Sequence, residues 1–312
     1  MILTITLNPS IDIRYNLAYF NLGEVHRALE CEKTAGGKGL NVARVINKLG
    51  TDVLTTGFLG GKLGEDLAGK LNNQGIKNDF EKIQGETRNC INILHEQMST
   101  EVLESGPVIL EEEWENFKKK FKNLTEQYKF ISASGSLPSG LKSSSYCELI
   151  KIAEENGCKF FLDTSGQPLK ESLDYHPYFI KPNLEELEKL TGKSLKNMDE
   201  IIAEAKKLNS SGVNIVAVTL GAKGSLIATE NKVFIAKIPK VEILNTVGCG
   251  DSFVAGFITA ISKNMPLTEA FKLAIGCSIS NALLPGTGSI DIDTVNELMK
   301  KIEITIKESI NF

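Results

Sequence analysis

No apolar run in the 312 residues approaches the roughly 20 that a membrane span needs, and the opening MILTITLNPSID lacks the basic stretch and apolar core of a secretory leader. A cytoplasmic location is expected. There is no surplus of positive charge either. With 35 Lys and Arg against 39 Asp and Glu, the net charge of -4 leaves little to neutralise a phosphate backbone, so neither nucleic acid nor membrane is an expected partner. The six cysteines, Cys31, Cys90, Cys147, Cys158, Cys249 and Cys277, show no CxxC spacing, which argues against a zinc site or a disulfide framework. The three histidines, His26, His95 and His176, lack partners at metal-ligand or triad spacing. No Walker loop is present: TGKS at 191–194 has Leu187 where the first glycine should stand, and is expected to end a helix. Repeats, low-complexity tracts and flexible linkers are also missing, so a single domain over 1–312 is expected.

What is present is a rhythm of short β-rich runs and amphipathic helical runs, the pattern of a parallel sheet covered by helices, and hence of the α/β class. Strands are expected at 2–7, 129–133, 158–163, up to Ile180 and Lys181, and at 214–220. Helices are expected after AGGKG at 35–39, where Val42, Val45, Ile46 and Leu49 form an apolar stripe, and at 111–124, 145–156, 184–191, 198–208 and 267–284. SLIATENKVFIAKIP (225–239) is expected to form a hairpin at the sheet edge. Two regions, about 12–34 and 86–106, break the rhythm with extended runs and no helix, as strands that leave the main sheet to form a small lid would.

Chemistry is concentrated in glycine-bracketed turns. In TVGCGDSFVAGF (246–257), Gly248, Cys249 and Gly250 lead straight into a helix, whose first N–H groups and positive end make an anion hole suited to a phosphoryl group in transfer. Asp251 is placed to take a proton from a hydroxyl as general base; the alternative is a helix cap worth about 1 kcal/mol. AGGKGLNVARV (35–45) is a second such entrance, in which Gly37 exposes backbone, Lys38 adds positive charge and Asn41 can donate and accept. Arg88 in GETRNC could fork onto a phosphate or stay solvated. Asn183 and Glu186 in KPNLEEL could hold the water shell of a phosphate-bound Mg²⁺ or simply cap a helix. TLGAKG (219–224) offers Thr219, Gly221 and Gly224 for a turn beside a nucleotide, and SGSLPSG (134–140) is a loop at a strand end.

The ordered set AGGKGLNVARV, GETRN, SGSLP, KPNLEEL, TLGAKG and TVGCGDSFVAGF resembles the ribokinase-like (phosphofructokinase B) carbohydrate kinases along essentially the whole chain. The opening LTITLNPSID, the GGKGLNV helix and ETRN look most like the branch that acts on sugar phosphates. The resemblance implies a three-layer α/β/α sandwich with a mostly parallel sheet and a small β-strand lid. It implies Asp251 as the base and the amides around Gly248 to Gly250 as the anion hole. Asp12, Gly37, Lys38 and Asn41 would bind the sugar, and Arg88 with Arg27 and Lys38 its existing phosphate. Asn183 and Glu186 would serve Mg²⁺ with ATP; Thr219, Gly221 and Gly224 would line the nucleotide site, with Asn281 near the adenine. A monovalent cation and a homodimer through the lid are further expectations.

The implied reaction converts D-tagatose 6-phosphate and ATP to the 1,6-bisphosphate and ADP, with fructose 1-phosphate as the alternative acceptor. Asn92 favours the first, because the fructose 1-phosphate enzymes tend to carry lysine at its position. A sugar-phosphate sensor without catalysis is the reading of another class; retention of Asp251, both glycines, Asn183 and Glu186 argues against it. Cys249 stands where the family usually has Ala or Ser.

Overall fold

The computed structural model describes residues 1–96 and 98–308. Gln97, inside the expected lid, and 309–312, at the end of the expected domain, lie outside the described residues. The strands are β1 (Ile2–Thr6), β2 (Ser10–Leu17), β3 (Glu30–Gly36), β4 (Val53–Gly60), β5 (Lys77–Asn78), β6 (Glu81–Ile83), β7 (Arg88–His95), β8 (Met98–Leu103), β9 (Phe130–Ser134), β10 (Lys159–Asp163), β11 (Phe179–Ile180), β12 (Ile215–Thr219), β13 (Ser225–Ala228), β14 (Lys232–Lys237) and β15 (Glu303–Glu308). The helices are α1 (Lys38–Lys48), α2 (Gly61–Asn73), α3 (Glu111–Gln127), α4 (Ser145–Glu155), α5 (Gly166–Ser172), α6 (Leu184–Thr191), α7 (Met198–Ser210), α8 (Cys249–Ser262), α9 (Leu267–Ala282) and α10 (Ile292–Lys301). None of the described helices is long and apolar enough to cross a membrane.

Ten strands of the main sheet run in the order β15-β14-β13-β12-β11-β10-β9-β1-β4-β5, with β6 added beside β4. From β12 through β1 to β4, β5 and β6 every pairing is parallel; β13, β14 and β15 complete the sheet antiparallel. The inner strands read as continuous apolar runs because both faces are covered. Leu3, Ile5, Ile131 and Phe160 pack under α3, α4, α6 and α7, while Ile2, Val53, Phe161 and Phe179 pack under α1, α2, α8, α9 and α10. This is the expected three-layer sandwich. Trp114, Phe117 and Phe121 anchor α3 as its spacing requires, and Gly192 ends α6 in the left-handed conformation, so TGKS is a helix end.

One expectation is corrected. The 225–239 hairpin forms, but it is not the sheet edge, because β15 pairs along the whole of β14. The alternation in EITIKE was too short and too charged to stand out. The lid is a separate four-stranded sheet in the order β3-β2-β7-β8, in which β2 and β7 are parallel and the outer pairs antiparallel.

Candidate active site

The parallel strands deliver their C-terminal ends to one edge of the sheet. The chain builds outward from β1 to β4 on one side and then returns to place β9 on the other, so strand order reverses beside β1, where loops diverge and leave a crevice. A cleft of about 770 Å³ opens there, between those strand ends and the lid. Asp12, Gly37, Lys38, Asn41, Arg88, Asn183, Glu186, Thr219, Gly248, Gly250 and Asp251 all border it. An adjoining compartment of about 250 Å³ is bordered by Thr219, Gly221, Gly224 and Cys249, and shares Asn183, Thr219 and Gly250 with the cleft. The head of α8 therefore stands at the junction of the two spaces.

Gly248 caps α8 at φ +83°, a conformation that disfavours side chains, and a Cβ there would stand 2.7 Å from Thr287 Cγ2. Ser252 N makes the first regular bond of the helix, to Gly248 O at 2.8 Å, and Cys249 N donates to Thr246 O at 3.3 Å. The amides of Gly250 and Asp251 stay outside that ladder, available to an anion. At Gly250 a Cβ would stand 3.1 Å from Lys181 Nζ, so glycine lets that ammonium approach the turn.

Asp251 is not the helix cap; its carboxylate is 5% exposed and accepts a 2.7 Å bond from Asn41 Nδ2 on α1. Burial, reinforced by the charge of Asp163, pushes it up to about 6, against the pull of Lys38, the Asn41 bond and Lys181. Asp163, at the end of β10, is 2% exposed and pairs with Lys181 at 3.2 Å and Lys38 at 3.9 Å. Burial alone would raise its pKa, but Lys181 and Lys38 outweigh this and hold it below the usual carboxylate value. The same pairing, opposed by burial, raises Lys38. The floor of the cleft is a fixed cluster of two anions and two cations, an arrangement that can shed one proton from a hydroxyl and meet negative charge with fixed positive charge.

Other residues are differently placed. Asp12 accepts a 2.6 Å bond from Ser10 Oγ, and burial raises its pKa. Arg88 donates to Glu104 O at 2.8 Å and Asn8 O at 3.0 Å, so much of its fork is spent on backbone while its Nε–H is buried without a partner. Asn183 and Glu186 form a reciprocal capping box, with Glu186 N donating to Asn183 Oδ1 at 2.9 Å and Asn183 N to Glu186 Oε2 at 2.8 Å. Arg27 lies exposed between β2 and β3 and does not border the cleft. Asn92 is used within the lid, accepting from Ser99 Oγ at 2.9 Å.

The expectation for Asn281 is corrected. It is fully buried and borders neither compartment. Its Oδ1 accepts from Gly288 N at 2.9 Å and Ser252 Oγ at 3.2 Å, and its Nδ2 donates to Val247 O at 2.8 Å. With its amide bonded to these segments, Asn281 ties the turn before α8 to the segment around Gly288.

Residues 5–294 match the family model described as pfkB family carbohydrate kinase. The chain belongs to this family. As a carbohydrate kinase it is 41% identical over 307 residues to the tagatose-6-phosphate kinase of Staphylococcus epidermidis, covering 97% of this chain and 99% of the relative. The phosphofructokinase-2 of Escherichia coli in complex with potassium superposes with a TM-score of 0.91 at 26% identity, over 96% of this chain and 98% of that one. The tetrameric inhibited form of that enzyme superposes at 0.90 and 26%, with the same coverage.

Three charged residues escaped the motif reading: Asp163 and Lys181, which border the cleft, and Arg44, which does not border it but bonds to Asn41. The clue for the first two was available, because each is a charged residue at the C-terminal end of an apolar strand, where a parallel sheet opens its crevice. Arg44 sits on the stripe-bearing helix α1, and nothing in its spacing distinguishes it from a surface arginine.

Proposed function

We propose that this kinase transfers the γ-phosphoryl group of ATP to the C1 hydroxyl of D-tagatose 6-phosphate. The observation that carries the reaction is Asp251, buried and raised to about 6 at the junction of the lid-covered cleft and the smaller compartment. The 41% identity to a tagatose-6-phosphate kinase, over nearly the full length of both chains, supports the acceptor. Asp251 takes the hydroxyl proton as the substrate oxygen bonds to the γ-phosphorus and the bond to the bridging oxygen of ADP breaks. The amides of Gly250 and Asp251 and the ammonium of Lys181 meet the charge on the transferring group, and Lys38 orients the acceptor against it. Thr219, Gly221 and Gly224 shape the nucleotide compartment, and Asp12, Gly37 and Asn41 hold the sugar.

The residues present fit Mg²⁺ carried through its water shell: the capping box uses one oxygen of Glu186 and leaves the other, and Asp163 Oδ2 at the same cleft is buried with no hydrogen bond, Lys38 Nζ standing 3.9 Å away. Mg²⁺ bound there with ATP would neutralise charge on the β- and γ-phosphates.

The test is an ADP-release assay that compares tagatose 6-phosphate, fructose 6-phosphate and fructose 1-phosphate by kcat/KM. The expected order puts tagatose 6-phosphate first; a preference for fructose 1-phosphate overturns the assignment of acceptor. The same assay is expected to show an acid limb in kcat/KM near pH 6, falling about tenfold per unit below it, as the base becomes protonated.

The lid supports assembly with a second copy. Leu22, Val25, Leu29 and Leu103 are between 61% and 92% exposed on it, and among the described residues the outer edges of β3 and β8 have no strand partner. A homodimer is expected by light scattering, and a monomeric mass at working concentration contradicts it.

A further inference from the structure

Asn41 and Arg44 stand one turn apart on α1, and their side chains meet. The Arg44 guanidinium donates to Asn41 Oδ1 through one nitrogen and to Ala35 O, at the end of the lid strand β3, at 2.7 Å through another. Asn41 is 5% exposed, and its Nδ2 donates to the Asp251 carboxylate. On its other side the backbone of Asn41 is pressed by Gly288, where a Cβ would stand 2.9 Å from Asn41 Cα.

A primary amide has two orientations of nearly equal shape, and only one of them offers hydrogen atoms to a carboxylate. With five donors and no acceptor, a guanidinium can bond the oxygen of a side-chain amide but not its NH₂. We propose that Arg44 is a positioning residue for the base: it fixes the Asn41 carbonyl so that Asn41 keeps its NH₂ on Asp251 and holds that carboxylate in line with the acceptor hydroxyl. The inference rests on the reading of Asp251 as the base. It also gives the lid a connection to the chemistry, because the second anchor of Arg44 is the carbonyl of Ala35 at the C-terminal end of β3.

Several charges surround this chain of bonds. Asp163 from β10, Lys38 from α1 and Lys181 after β11 act on Asp251, while Asp12 from β2 and Asp251 act on Arg44. Removing the guanidinium takes away a cation and frees the amide to turn its oxygen toward the carboxylate. Both changes favour the protonated base.

The test is a double-mutant cycle on kcat, with the acid limb measured for each protein. Arg44→Met is expected to lower kcat by about 10- to 100-fold, the scale of a misplaced reacting group, to leave KM for ATP within about twofold, and to move the acid limb to higher pH. In an Asn41→Ala background the same change is expected to alter kcat by less than about twofold. An equal fall in both backgrounds, or an unchanged kcat and limb, overturns the proposal. Arg44→Lys, which keeps the charge but not the fork, repeats the cycle with the same two outcomes should the Met variant fail to fold. Turnover in Asp251→Asn would remove the underlying reading, whereas an additive cycle beside an inactive Asp251→Asn removes only the role of Arg44.

Discussion

Asp251→Asn is expected to lower kcat by about 10²–10⁴-fold or more, while KM for ATP and for the sugar phosphate stays within a few fold. The substitution keeps the shape of the side chain and its 2.7 Å contact with Asn41 Nδ2, since an amide oxygen accepts that bond as a carboxylate does. What it removes is the ability to take a proton. A second measurement separates this from damage to the fold. The folded-state value of about 6 lies above the 3.8 of an exposed carboxylate. Between those values the folded protein holds a proton that the unfolded chain releases, so this group's contribution falls as pH rises through the window, and above about 6 the fold carries the whole penalty. Asparagine carries none of it. Asp251→Asn is therefore expected to be more stable at neutral pH, on the order of 2–3 kcal/mol, in denaturant unfolding. Near-normal turnover would refute the assigned role, and a less stable variant would refute the burial penalty.

Asp163→Asn is expected to fail in the opposite way, losing stability and activity together. Asp163 and Lys181 are 2% and 6% exposed, so removing the carboxylate leaves a buried ammonium without its partner, a change that typically costs about 3–5 kcal/mol. Lys38 is nearly half exposed and adds less, because water screens it. With Lys181 no longer fixed beside Gly250, kcat is expected to fall by about one to two orders of magnitude. The pH profile gives the sharper readout. The charge of Asp163 helps to raise Asp251, so its loss lets Lys38, Lys181 and the Asn41 bond pull the base down, and the acid limb moves below about 6. That shift is opposite in sign to the one expected for Arg44→Met. An unchanged unfolding midpoint together with a limb still near 6 would show that Asp163 neither anchors the lysines nor influences the base.

How much of the site was legible depended on whether chemistry was carried by backbone or by side chains. Gly37, Lys38 and Asn41, and Gly248 to Asp251, lie at two helix starts that glycines mark, and local sequence is enough to find them. Asn183 and Glu186 were equally visible, as both a capping pattern and a Mg²⁺ pattern, and their capping box leaves room for both roles. Asn281 entered as a nucleotide residue only through the family resemblance. Its amide is instead consumed by Val247, Ser252 and Gly288, a set of partners that only the approach of three separate segments supplies.

The sequence by itself determined the parallel sheet, the lid and the two glycine entrances, because hydrophobic period, turn chemistry and helix starts are properties of a few neighbouring residues. Only the tertiary structure decided the surroundings of Asp251. Asn41 lies 210 positions away in the chain, and the charges of Asp163 and Lys181 act on the Asp251 carboxylate from two other strand ends. A carboxylate's proton affinity is set by burial and by charges brought near it in space, and neither can be read from the residues beside it in the chain.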